Sequence, residues 1–570
     1  MGVPRLFPYI KKNVPSAITQ IIEGVNNENI DFLYIDGNAL IHPLAADVFN
    51  YGSKPRMIDP YKDLKYQDKL KILFSKFNEK IFDIAKIIKP RKVLYIAMDG
   101  SAPLAKQQQQ RQRRFISAMH YDPSSFNTAS ISPGTKFMFE LERYMNYSIR
   151  KNLNEEEWKH LNIIFSPSNV PGEGEHKAID FIRKLTKEQR EYYSHCLVGC
   201  DADLIMLCLT TYLNKVFLLR ENYNSVGSYS YVDMGIVRKE LPRILYTQNR
   251  IKMNIPNRTL NEATDDFVLI GFFVGNDFLP RIQMFLYLED GLDLMIKKYS
   301  ESGIFITNNN KINIKNFTKF VESFAEKENE YLINQLSKDI ESSLLENKTL
   351  KKHIFIGEKD GNGRTIKQLD FDSYRNEYYL KDGIDTEKKI RKLCEEYLKT
   401  ILFVYKYYTR GLPSWKYFYP YHIPPLMSDF VKYLKTINAE YFLKLNEFQI
   451  STPSDPFIQL LSILPPQYNE LLPKKLRGVM TSPNSPLVQK GYYPMAFDID
   501  YEGKLKEHEG VAMLNFVDRN EIKKVYNLIQ LKKRYRNSLG KEKVYMYNSK
   551  YVSTFKSKYG IILYTHVQKK

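Results

Sequence analysis

Apolar positions in the first 290 residues fall into short solid runs, separated by longer stretches in which apolar and polar residues alternate with helical period. The runs are 31–36 (DFLYID), 92–99 (KVLYIAMD), 163–165 (IIF), 196–201 (CLVGCD) and 216–219 (VFLL). Runs this short and this apolar predict strands covered on both faces, and amphipathic stretches such as 67–88 predict the helices that cover them. Together they predict an α/β fold, with a mostly parallel twisted sheet flanked by helices. Residues 291–394 are more polar and predict a helical connector or insertion. Residues 395–520 turn aromatic and proline-rich (WKYFYPYHIPPL, LSILPPQYNELLP) and predict a second ordered region, poor in long helices after Tyr408. The remainder, 521–570, reads as a basic C-terminal tail.

Charge sharpens this division. The 570 residues carry a net charge of +19, and residues 521–570 hold +11 of it. Tyrosines alternate with that charge (Tyr526, Tyr535, Tyr545, Tyr547, Tyr551, Tyr559, Tyr564). Such a pattern suits nucleic acid, through phosphate neutralisation and base stacking, and equally suits a basic surface module. With 43% hydrophobic residues the chain can bury a large core, which excludes wholesale disorder. No apolar run approaches the roughly 18 residues of a membrane span, and MGVPRLFPYIKKNV lacks the apolar region of a signal peptide. Leu6 stands where N-myristoylation of Gly2 wants Ser or Thr. Cys196, Cys200 and Cys208 lie in an apolar run without a second pair of ligands, so they are expected as free thiols in a reducing compartment rather than as a zinc site.

Acids end the predicted strands: Asp36 after FLYI, Asp99 after LYIAM, and Asp201 with Asp203 after CLVG. Ligands of an open parallel sheet bind outside the C-terminal strand ends, so these four carboxylates are expected in one crevice. Glu173 and Glu175 open the helix in VPGEGEHKAIDFIR (170–183), and Asp277 ends the apolar helix in DDFVLIGFFVGNDFLP (265–280). Seven like charges in one cleft repel strongly unless hard cations neutralise them. A pair of Mg²⁺ ions, with Mn²⁺ as a substitute, would do so and would suit phosphodiester hydrolysis. Singly, each strand-end acid is more readily explained as a helix cap.

Next to Asp99 lies the segment DGSAPLAKQQQQRQRRF (99–115). If 104–115 is helical, Lys106, Gln110, Arg113 and Arg114 share one face. Their ammonium, amide and guanidinium groups suit a terminal phosphate, whereas a solvated basic face is the bland alternative.

Here the chain resembles the Xrn family of 5′→3′ exoribonucleases, in a minimal form that lacks the long C-terminal extension of large members. The resemblance rests on MGVPRLFPYI, LYIDGNALIH, DGSAPLAKQQQQRQRRF, SPGTKFM, VPGEGEHKAIDFIR, GCDADLIMLCL, VGNDFLPRI, YYTRGLPSWKYFYPYHIPP, PFIQLLSILPPQYNELLP and LRGVMTSPNSPL. It implies a PIN/5′-nuclease-like core in residues 1–290, with the second conserved region (395–520) packed around the active-site domain. It implies that Asp36, Asp99, Glu173, Glu175, Asp201, Asp203 and Asp277 bind two Mg²⁺ ions. It also implies that Lys106, Gln110, Arg113 and Arg114 hold the 5′-monophosphate of single-stranded RNA, and that His42 and Trp415 stack on its first bases, with Tyr417 as the other aromatic beside that motif. A processive monomeric nuclease of RNA decay is then expected, cytoplasmic first, with nuclear or viral settings and decapping or helicase partners left open. The competing readings are a flap-type DNA nuclease, which would need a helix-hairpin-helix that the segment after Asp277 does not offer, and a non-catalytic RNA-binding scaffold, which would not need all seven acids.

Overall fold

A computed structural model describes residues 6–21, 28–52, 55–222, 227–246, 259–285, 291–335, 345–359, 365–504, 506–531, 543–548, 554–557 and 560–566. The chain forms two compact units, neither continuous in sequence. The sheet unit comprises Pro15–Ile236, Ser451–Ala496 and Asn515–Lys570; the helical unit comprises Met1–Val14, Val237–Ile450 and Phe497–Leu514.

The sheet unit is built on strands β1 (Ile18–Ile21), β2 (Phe32–Asp36), β3 (Val93–Ala97), β4 (Asn162–Ser166), β5 (His195–Val198), β6 (Val216–Glu221) and β7 (Tyr229–Asp233). Their order is β1-β7-β6-β5-β2-β3-β4, with β6 through β4 parallel and β7 and β1 antiparallel at one side. The parallel strands coincide with the solid apolar runs of the sequence because both of their faces are covered. On one face Leu33, Ile35, Leu94 and Ile96 pack with the helices Gly37–Phe49, Tyr66–Ile88 and Lys136–Asn152. On the other, Phe181 of the helix Gly174–Lys184 meets the rings of Phe32, Tyr34 and Tyr95. Chain order reverses between β2 and β5, so the C-terminal ends of β2, β3 and β5 open onto a switch-point crevice.

Part of the basic C-terminal segment builds this sheet. Lys543–Asn548 pairs antiparallel with β4, and Gly560–His566 and Thr554–Ser557 follow it outward. Tyr547 is buried, and the Tyr545 hydroxyl donates to Glu142 at 3.0 Å. Those tyrosines cover what would otherwise be an exposed edge of β4, while Tyr535, Tyr551 and Tyr559 lie outside the described residues. Within the same unit, the helix Pro456–Ile463 and the segment up to Tyr493 form a second apolar core with Ala118 and Ala129.

In the helical unit the longest element is Glu387–Arg410, capped by Thr386 and stopped at Gly411, whose φ of +98° suits glycine. Short helices follow, as the composition predicts. All four cysteines are free. Among the described residues no helix is long and apolar enough to cross a membrane.

Candidate active site

Three of the acids at the crevice follow the ends of apolar strands, and two stand at a turn that opens a helix. Asp36 ends β2 and precedes the helix Gly37–Phe49, Asp99 follows β3 by two residues, and Asp201 follows β5 and precedes the helix Ala202–Leu209. Glu173 and Glu175 straddle the first residue of Gly174–Lys184. Donor oxygens of Asp36, Asp99 and Glu175 all lie within 4.8 Å of one another. Gly174 makes this closeness possible, since a Cβ there would stand 2.7 Å from Asp36 Oδ1.

Capping does not explain these residues as a group. Asp36 does accept a bond from the Asn38 N–H at 3.0 Å, but Glu173 and Asp201 stand at N-cap positions without a capping side-chain bond. Asn38 ties two of the acids together, because its Oδ1 accepts from the Asp99 N–H at 3.0 Å. Asp99 in turn accepts from the Gly174 N–H at 2.7 Å. Glu175 accepts no hydrogen bond from the described residues.

Electrostatics follow from this crowding. Burial first, then Asp99 and more weakly Asp201, hold the Asp36 carboxyl well above the ordinary range, against the Asn38 N–H. Burial also raises Asp99, with Glu173 adding and the Gly174 N–H, Lys106 and Lys177 opposing. Glu175 is pushed well up by burial and by Glu173, Asp36 and Asp99, with Lys106 opposing. Half-buried carboxylates that raise one another's pKa in this way form a site that a hard divalent cation fits, because its positive charge offsets their mutual repulsion. Asp203 lies buried in the first turn of Ala202–Leu209, and Asp201 is exposed at its start.

The basic face takes shape beside these acids. Leu104–Ala118 is helical, as its spacing predicts. Lys106 Nζ lies 2.7 Å from Glu173 Oε2. Arg114 donates to Ser132 Oγ at 2.7 Å, and its pKa falls to about 10 through burial and then the neighbouring Arg113. Gln110 is half-buried and Arg113 exposed. His42 is exposed one and a half turns along Gly37–Phe49; desolvation by the crevice walls lowers its imidazole pKa, opposed by Asp99 and reinforced by Arg113 and Arg114. Asp277 and Trp415 belong to the helical unit. There Asp277 follows Gly275 and Asn276 in a tight turn, and Trp415 is half-buried. Tyr417 is committed to packing: its hydroxyl meets Thr400 Oγ1 at 2.8 Å and its ring lies against Phe403 and Phe448.

Sequence reasoning passed over Lys177. Its ammonium donates to the carbonyls of Met98 at 2.6 Å and Pro167 at 3.1 Å, joining the loops that follow β3 and β4. Its position four residues after Glu173 on the same helical face was the available signal. Cys196 and Cys208 are buried in the apolar core, where burial pushes the Cys196 thiol up to about 12.

Comparison with known proteins agrees with the motifs. The chain is 27% identical to the 5′-3′ exoribonuclease 1 of Saccharomyces cerevisiae over 98% of its own length, and 28% identical to that of Homo sapiens over 92%. It spans 45% and 34% of the lengths of those two proteins. It is 26% identical to the 5′-3′ exoribonuclease 2 of Debaryomyces hansenii, over 96% of this chain and 72% of that one. Residues 1–222 match the XRN 5′-3′ exonuclease N-terminus, and residues 258–358 and 338–563 match the Xrn1 helical domain. With both of these patterns present, and a sheet that gathers half-buried acids beside its strand ends, the chain belongs to the Xrn family of 5′-3′ exonucleases.

Proposed function

We propose that this protein is a processive 5′→3′ exoribonuclease that hydrolyses single-stranded RNA bearing a 5′-monophosphate, releasing nucleoside 5′-monophosphates in RNA decay. The observation that carries the reading is the juxtaposition of Asp36, Asp99 and Glu175 within 4.8 Å of one another with a cationic helix face that reaches them through the Lys106–Glu173 pair. In this reading Asp36, Asp99, Glu173, Glu175, Asp201 and Asp203 would hold two Mg²⁺ ions. When bound, such ions polarise the scissile phosphate and stabilise the attacking and leaving oxygens.

The chain's own groups do the rest. Lys106, Gln110, Arg113 and Arg114 bind the terminal phosphate and fix how deep the 5′ end enters. That depth places the first internucleotide bond over the acids. An incoming phosphate competes with Glu173 for the Lys106 ammonium, so substrate binding is coupled to the charge balance of the acid cluster. A cap adds bulk and a triphosphate adds charge beyond what this grip accommodates, so decapping comes first. His42 stacks on a leading base and favours forward movement after each cut.

Degradation of 5′-monophosphate RNA, 5′-hydroxyl RNA and a DNA flap, each with Mg²⁺ and with EDTA, tests the reading. Mg²⁺-dependent release of mononucleotides from 5′-monophosphate RNA alone supports it. Preference for the flap would favour a DNA nuclease, and binding without cleavage would favour a scaffold.

A further inference from the structure

The helix Leu104–Ala118 has a second face that this chemistry does not use. Leu104, Gln107, Arg111, Phe115 and Ala118 recur at helical spacing and are all buried. Stripes of that kind are ordinarily apolar, yet Gln107 and Arg111 are each only 1% exposed. Arg111 donates to the Ser462 carbonyl at 3.2 Å and to the Tyr492 carbonyl, with its guanidinium 4.3 Å from the centroid of the Phe115 ring. Gln107 donates to the Ala102 carbonyl at 2.7 Å and lies 3.4 Å from Ser454 Oγ. Gln459 Oε1 accepts from the Ala102 N–H at 2.7 Å. The helix is therefore keyed from behind to a segment some 350 residues later in the chain, within the same compact unit.

Arg111 has no carboxylate partner among the described residues. A guanidinium buried in this way is costly, and an apolar side chain of similar volume would fill the space at less expense. What arginine adds is a rigid planar fork that fixes distance and angle to two separate carbonyls. Arg113 lies across the helix from Arg111 and is exposed, while Gln110 and Arg114 lie on its flanks and are half-buried. Any roll or slide of the helix on its bed therefore moves them relative to the acids.

We propose that Arg111, backed by Gln107, is a positioning residue that locks the roll and axial setting of this helix, and so sets where Lys106, Gln110, Arg113 and Arg114 hold a 5′-phosphate relative to Asp36, Asp99 and Glu175. This rests on the phosphate-binding reading of Lys106, Gln110, Arg113 and Arg114. Selectivity for a 5′-monophosphate then depends on residues 454–492 as much as on the helix itself.

The test compares Arg111→Met and Gln459→Leu with the unaltered protein, measuring kcat and KM on 5′-monophosphate and 5′-hydroxyl RNA, with melting temperatures alongside. An unaltered protein showing no preference would sink the phosphate reading, and this proposal with it. Given a preference, Arg111→Met should stay folded and raise KM for 5′-monophosphate RNA on the order of tenfold. The 5′-hydroxyl substrate should change far less, so the preference falls by nearly that factor. Gln459→Leu should shift the preference the same way by less. An unchanged preference in folded Arg111→Met, or an equal loss on both substrates, overturns the proposal. Should Arg111→Met fail to fold, Gln459→Leu decides, and a preserved preference there overturns it.

Discussion

A buried acid in one unit and a half-buried cluster of acids in the other are served very differently. In the helical unit, Asp266 is fully buried and accepts from the Tyr299 hydroxyl, the Thr307 N–H at 2.8 Å, the Thr307 hydroxyl at 2.6 Å and the Tyr246 hydroxyl at 3.5 Å. In the sheet unit, Asp36 and Asp99 have only a few backbone donors, Glu175 has none among the described residues, and all three crowd one another. Asp266 is satisfied by the fold itself and holds the turn at Thr307 in place. The crevice acids repel one another instead, a strain that a bound cation or proton would relieve. Burial alone does not mark a functional carboxylate; the shortage of donors together with like charge does.

That contrast can be broken by substitution. Asp99→Asn should lower Mg²⁺-dependent hydrolysis by about 10²–10³-fold, the scale of losing one preorganised electrostatic partner, while keeping or raising the melting temperature in EDTA. Asp266→Asn should do the reverse, losing roughly 2 kcal/mol of stability in urea titrations through mismatched donors with near-normal turnover below its melting point. If both variants lose activity and stability alike, the distinction fails.

Cation binding sharpens the comparison. Saturating Mg²⁺ at a hundredfold excess over its dissociation constant should stabilise the protein by about 2.7 kcal/mol, read as a rise in melting temperature. Glu175→Gln should lose most of that rise and Asp266→Asn should retain it. Lys177→Met should cost on the order of 1–3 kcal/mol, because the carbonyls of Met98 and Pro167 lose a charged donor, and turnover should fall as the loop bearing Asp99 loosens. Melting curves and hydrolysis rates read the two effects separately.

The smallest effect concerns pH. His195 is buried, with Nδ1 3.0 Å from the Tyr34 hydroxyl, and burial lowers its pKa to about 4 despite the Arg190 carbonyl and Asp31. A folded pKa below the unfolded value favours the neutral ring. Its contribution is therefore complete above about pH 6.5 and is lost as pH falls towards 4. By pH 5 the loss is at most about 2 kcal/mol. Urea titrations at pH 7 and pH 5 should show that loss in the unaltered protein and a shallower one in His195→Phe.

Much of the crevice is legible in the sequence, because a strand buried on both faces is written as a solid apolar run and its end is where an acid can reach an open site. Asp36, Asp99 and Asp201 follow directly from that rule, and Glu173 with Glu175 follow from a Gly-bearing turn that opens a helix. The run QQQQRQRR was less decipherable. Arg111 and Arg113 look interchangeable on paper, yet one is buried against carbonyls and the other is exposed. The same holds for the basic tail, where Tyr545 and Tyr547 pack along β4.

Local chemistry in the chain determined where strands stop, which helices are amphipathic and which residue types gather near the strand ends, because each depends on neighbours a few positions away. Tertiary structure alone decided that Asp36, Asp99 and Glu175 share one small volume, that Lys177 braces the loop bearing Asp99, and that a distant helix keys Arg111. Those depend on how the strands are ordered and on which surface each helix meets, and contacts between residues hundreds of positions apart leave no periodic trace in a linear sequence.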